Sequence, residues 1–164
     1  MTSSRRGEEE AAMSRMRERA REILAGGRIA LVGVSSDPRS FSRAVLRELL
    51  KRGHDVAPVS TSAAEAEGRA CAPRVQDLSP PPSGAIVMTP PARTADAVRD
   101  CLAAGVRRIW LHRGAGPGAA SPEAIAVCRD AGVEPVTDLC PFMALPRAGW
   151  FHRLHGFLRE PRAR

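Results

Sequence analysis

The residues from Gly33 to Ser40, Gly-Val-Ser-Ser-Asp-Pro-Arg-Ser, stand between an apolar run and a helical stripe. A glycine at the end of a strand lets the backbone come close to a ligand. Small hydroxyl side chains and a helix N-terminus then offer donors to a phosphate, and Arg39 and Arg43 are near enough to hold further phosphate charge. A strand–helix turn that needs only a glycine and a cap would look the same. One glycine does not make a G-x-G-x-x-G fingerprint. The segment Val59-Ser60-Thr61-Ser62 lacks the acid that an NAD site places against the ribose hydroxyls. Thr89-Pro90-Pro91 fixes the backbone and removes donors, which makes either a rigid apolar shelf or an ordinary proline-led helix start.

Other chemistry-bearing residues gather late in the chain. Cys140, His152 and His155 include zinc-ligating types, with the two histidines at helical spacing. No second cysteine or following carboxylate completes a set, so no metal site is assigned. Cys140 could act as a nucleophile, or exchange disulfides with a thiol ligand, if His112 lowered its pKa. A small residue in a site wall explains it more simply, and no catalytic residue is assigned. Trp150, Phe151, Leu154 and Phe157 would suit a cap over a ligand or a homodimer surface.

The elements that must position these residues follow from periodicity. Residues 8–24 carry Met13, Met16, Ala20, Ile23 and Leu24 at helical spacing, with Glu and Arg interleaved on the other face. Arg28–Val34 is a continuous apolar run suited to a strand buried on both sides. Phe41, Ala44, Val45, Leu46, Leu49 and Leu50 form a helical stripe over 40–52. Strands are predicted at 54–59, 84–89, 107–112 and 133–137, with helices from Pro91 to about Ala104 and from Ser121 to Gly132. Ser121 is the expected cap, with Pro122 at the first helical position. Residues 60–83 read as a polar, proline-rich connection with a helical turn near 75–78. Alternating strands and helices predict an α/β fold: a Rossmann-like, doubly wound parallel five-stranded sheet with helices on both faces. Ligands in such folds sit at the carboxyl ends of the strands. The predicted organisation is a lead-in helix at 1–27, the Rossmann-like domain at 28–146 and a helical basic tail at 147–164.

The chain has 164 residues, 43% of them apolar, which suits one domain with its own core. No stretch approaches the roughly 18–20 apolar residues of a membrane span, and the charged N-terminus has no secretory core. A cytoplasmic protein with four reduced cysteines is expected. The net charge of +7 would attract polyanions. However, the basic residues are nearly all Arg, which reads as a compositional habit. Only 4% of residues are aromatic and Tyr is absent, so nucleic-acid stacking has little support.

Taken in order, I-A-L-V-G-V-S at 29–35, F-S-R-A-V-L-R-E-L-L-K-R-G-H-D-V at 41–56, M-T-P-P at 88–91, A-G-V-R-R-I-W-L-H-R-G at 104–114, C-P-F-M at 140–143 and G-W-F-H-R-L-H-G-F at 149–157 resemble a known family. It is the CoA-binding domain family related to the N-terminal domain of the succinyl-CoA synthetase alpha subunit, and within it the small stand-alone bacterial proteins. The resemblance implies that Gly33, Val34 and Ser35 cradle the pyrophosphate. It places Ser42 and Arg43 near the nucleotide phosphates, Thr89, Pro90 and Pro91 along the adenosine or pantetheine path, and His112 and Gly114 beside the pantetheine arm. Ser60 falls where relatives usually carry Asn before Pro, which weakens the implied ribose contacts. The synthetases' phosphorylated His domain and nucleotide-grasping subunit have no counterpart in this chain. The resulting expectation is a non-catalytic, regulatory protein that binds coenzyme A or an acyl-CoA. Two alternatives remain: an NADP-linked oxidoreductase or cysteine-dependent acyl-transfer enzyme on the same fold, and a basic interaction module.

Overall fold

The computed structural model describes residues 2–113 and 118–145. Helix α1 (Thr2–Ala25) leads in and stops at Gly26-Gly27. Then follow β1 (Ile29–Val32), α2 (Phe41–Lys51), β2 (Val56–Val59), a small hairpin of β3 (Glu65–Ala66) and β4 (Arg69–Ala70), a 3-10 turn at Val75–Asp77, β5 (Gly84–Val87), α3 (Pro91–Ala103), β6 (Ile109–Leu111), α4 (Pro122–Asp130) and the short α5 (Pro141–Ala144).

The main sheet is parallel, with strand order β2-β1-β5-β6. All residues of its four strands are buried, so continuous apolar runs rather than alternating ones encode it. Alternate side chains serve opposite faces. Leu31, Ile86 and Trp110 pack with Ala20 and Ile23 of α1, Val45, Leu46 and Leu49 of α2, and Leu145. Ala30, Val32, Ala85, Val87 and Leu111 pack with Val98 and Cys101 of α3 and Ala124 and Cys128 of α4. Helices therefore cover both faces, as expected of a doubly wound sheet. The Trp110 ring is fully buried and donates its Nε1–H to the Leu139 carbonyl at 3.0 Å, which satisfies its polar atom and pins the segment leading to α5.

Among the described residues the sheet has four strands rather than the five expected. The segment 133–137 contributes one parallel bridge, Trp110 to Val136, made by Val136 N–H to the Ile109 carbonyl and Leu111 N–H to the Val136 carbonyl. Pro135 is tolerated because its nitrogen faces away from β6, toward the open edge. Asp138, at φ 53, turns the chain away before a second bridge can form. The connection 60–83 holds the expected turn near 75–78 and also the β3–β4 hairpin. Glu67 and Gly68 both have positive φ, the backbone of a two-residue primed turn. Ser121 caps α4 as expected, accepting from Ala124 N–H at 3.2 Å, with Pro122 at the first helical position.

Candidate functional site

In a sheet ordered β2-β1-β5-β6, the chain reverses direction of travel between β1 and β5, and ligands of such folds gather at that switch point. Gly33 ends β1 there. Its φ is +90°, and a Cβ on it would lie 2.9 Å from both the Thr89 nitrogen and Thr89 Cγ2. The close backbone approach that requires glycine is therefore an approach of two turns, β1–α2 and β5–α3. Gly33 and Val34 both donate their N–H to the Val59 carbonyl, at 3.0 and 3.1 Å.

The rest of this turn is held by the first residues of α2. Ser42 is buried and accepts from Ser35 N–H at 3.0 Å, with the Ser40 hydroxyl 3.2 Å away. Arg43 donates to the Ser35 carbonyl at 3.3 Å and to Glu67 at 2.9 Å. Burial pushes the Glu67 carboxyl up, but hydrogen bonds and charge from Arg43 and Arg47 outweigh it and hold the group below its ordinary value. The three N–H groups of 33–35 are thus bonded within the protein, and Arg43 is committed to the turn. Unengaged donors lie one step further on. Phe41 and Ser42, the first two residues of α2, have no acceptor for their N–H inside the helix. Arg39 is 92% exposed in its side chain, beside Asp37 at 3.6 Å.

Ser60 sits at the end of β2, buried. Its hydroxyl donates to the Val34 carbonyl at 2.6 Å and accepts from Ser62 and Ala63 N–H at 3.2 and 3.0 Å. It is a latch between two turns, while Thr61 and Ser62 are exposed. Thr89 pairs its hydroxyl with that of buried Thr94 at 3.0 Å. Pro90 caps α3 and Pro91 is its first residue, so this wall offers no N–H at either position. Together Gly33, Ser35, Ser60, Thr89 and Pro90 border a cavity of about 410 Å³, and Arg74 and Arg93 also line it. A larger cavity of about 480 Å³ runs along the outer edge of β2, past Arg28, Arg69 and Leu78. Size does not choose between them. The smaller cavity holds the switch point, the glycine turn and the hydroxyls, and it is the candidate site.

His112 follows β6 and is 7% exposed. Its ring stacks on Phe41 with centroids 5.0 Å apart and planes at 24°, and Phe41 meets the edge of Phe142 at 5.4 Å. Burial pushes the imidazole below its ordinary pKa, which keeps it neutral, and its Nδ1 is buried with no hydrogen-bond partner among the described residues. His112 and Phe41 therefore join the β6 end to the α2 start. Phe41, expected in the core stripe, is 45% exposed because α2 begins beyond the strand ends and only its later turns cover the sheet. Phe41 was read in the sequence as a core residue rather than a site residue, and Phe142, Arg74 and Arg93 were not singled out. The C-P-F-M motif was the one available signal, for Phe142.

The cysteines are free thiols. Burial, with smaller contributions from neighbouring acids, pushes Cys101 up to about 12 and Cys128 up to about 11, and burial also raises Cys71. Cys140 caps α5, and no hydrogen bond joins it to His112 among the described residues. No group of three His, Cys, Asp or Glu among the described residues could hold a metal ion. No helix among them is long and apolar enough to cross a membrane. Gly114 and the tail with Trp150, His152 and His155 lie outside the described residues.

The family described as CoA binding domain matches residues 27–146. A hypothetical protein from Pyrococcus horikoshii OT3 is 29% identical, with 78% of this chain and 88% of that one covered, at a TM-score of 0.69. A conserved hypothetical protein from Pyrococcus furiosus is 31% identical over 70% of this chain and 95% of that one, at 0.63. The dinucleotide-forming acetyl-coenzyme A synthetase 1 of Ca. Korarchaeum cryptofilum is 26% identical over 66% of this chain at 0.58, and only 25% of that much longer chain is covered.

Proposed function

The chain belongs to the CoA-binding domain family, and from that premise we propose that it binds coenzyme A, free or acylated, at the carboxyl ends of β1, β2 and β5 and performs no chemistry on it. The observation that carries this reading is the contact of Gly33 with Thr89, which brings two turns together at the switch point beside a cavity of about 410 Å³. In this reading the pyrophosphate meets the N–H groups of Phe41 and Ser42 and the exposed charge of Arg39, on a turn that Ser42, Arg43 and Ser60 tie down. Thr89, Pro90 and Pro91 form the donor-poor wall along which adenosine or pantetheine lies. His112 borders the pantetheine arm.

A binding role is supported over a catalytic one by the state of the candidate groups. Arg43 is already spent on Ser35 and Glu67, and His112 is stacked on Phe41 with no hydrogen bond to a thiol among the described residues. The hydroxyl-lined end of β2 does not favour NAD, whose ribose wants a carboxylate there. Calorimetric titration with coenzyme A, acetyl-coenzyme A, NAD and NADP tests the reading. Saturable binding of coenzyme A or its acetyl ester, with NAD and NADP weaker, is the expected result. No coenzyme A binding, or tighter NADP binding, would overturn it.

A further inference from the structure

The cavity beside Gly33 is lined unevenly in charge. At the end of β2 it presents Ser60, Thr61 and Ser62, and no carboxylate. A site for an unmodified ribose puts an acid at this point to accept from the ribose hydroxyls, whereas a site for a ribose phosphate uses a guanidinium. The same cavity has two in its lining. Arg74 precedes the 3-10 turn and Arg93 lies in the first turn of α3, and both line the same cavity.

Their circumstances differ. Arg74 is paired with Asp77 at 3.4 Å. Arg93 is exposed and has no ion-pair partner among the described residues. The two carboxylates that also line the cavity are occupied: Asp96 is held by Arg99 at 2.7 Å, and Asp100 accepts from Gln76 at 3.1 Å. Pro90 and Pro91 have no N–H to give, so an anion at this wall must be met by a side chain rather than by the helix backbone.

We propose that Arg93, supported by Arg74, binds a phosphate monoester on the ribose of the bound nucleotide and so makes the cavity selective for ribose-phosphorylated ligands. The inference rests on the coenzyme A reading, in which that group is the 3′-phosphate. The test is titration of the full chain and of Arg93→Gln with coenzyme A and with 3′-dephospho-coenzyme A. One charge-assisted contact implies that the wild-type chain prefers coenzyme A by about tenfold. Arg93→Gln, an exposed substitution, should bring the two ligands together by weakening coenzyme A alone. Coenzyme A binding with no preference in the wild type overturns the inference and spares the coenzyme A reading. A preference that survives Arg93→Gln overturns the role of Arg93. Binding of neither ligand overturns the coenzyme A reading itself.

Discussion

The two helices that start on either side of the switch point begin in opposite ways. At α2, Ser40, Ser42 and Arg43 spend their side chains on the preceding turn, capping Arg43 N–H, accepting from Ser35 N–H and holding the Ser35 carbonyl. At α3, Pro90 and Pro91 carry no N–H, and only the Thr89–Thr94 hydroxyl pair ties the turn down. One start is rigid and still has two backbone donors at its tip. The other is rigid because of its rings and is nearly donor-free. Gly33 is where the two meet, within 2.9 Å of Thr89 in the position a Cβ would take. A charged ligand with an apolar arm fits between two such walls better than between two alike.

The strongest way to break this comparison is Gly33→Val. A β-branched residue at φ +90° is strained, and its Cβ meets Thr89 backbone that cannot swing away. We expect a loss of about 3 kcal/mol or more of stability, read by urea unfolding, together with loss of coenzyme A binding. An intermediate effect should separate the two helix starts. Ser42→Ala leaves the half-buried Ser35 N–H without its acceptor and should cost about 1 kcal/mol or somewhat more. Pro91→Ala, at a first helical position where proline is merely convenient, should cost less than about 1 kcal/mol. Equal losses at Ser42 and Pro91 would show that the asymmetry is not energetic.

The smallest effect concerns His112. Burial lowers the folded-state pKa, so between that value and the unfolded value of about 6.5 the unfolded chain binds more protons. Its contribution to stability is intact above the unfolded pKa and is lost as pH falls toward the folded one. His112→Phe keeps a ring against Phe41 and removes the titrating group. It should shrink the drop in stability between pH 7.5 and pH 5 relative to wild type, measured by unfolding at both values. An undiminished drop would place the acid sensitivity elsewhere.

The sequence made the buried strands legible because a parallel sheet covered on both faces needs unbroken apolar runs, as at Ile29–Val32 and Gly84–Val87. It located the Gly33 turn and the Ser121 cap from residue type alone. It did not reveal the β3–β4 hairpin, whose two-residue strands contain Glu, Ala and Arg and turn on Glu67-Gly68 rather than Asn-Gly. It overcounted the sheet because Val133–Thr137 is apolar enough for a strand, while Asp138 follows it at positive φ with no glycine to mark the turn. Within the site, Ser42, Arg43 and Ser60 have types that suit a ligand equally well. Only coordinates show them bonded to Ser35, Glu67 and Val34. Phe41 fell in the core stripe because spacing locates a helix face and cannot say how far the helix overhangs the sheet.

The central claim is where coenzyme A sits, and amide hydrogen exchange with and without saturating coenzyme A tests it most directly. Coenzyme A at the Gly33 turn should slow exchange at Phe41 and Ser42 and across Ser60–Ser62 and Ala92–Thr94, with no change at Arg69–Ala72 beside the larger β2-edge cavity. Protection confined to Arg69–Ala72, with the turns around Gly33 and Thr89 unaffected, would contradict it.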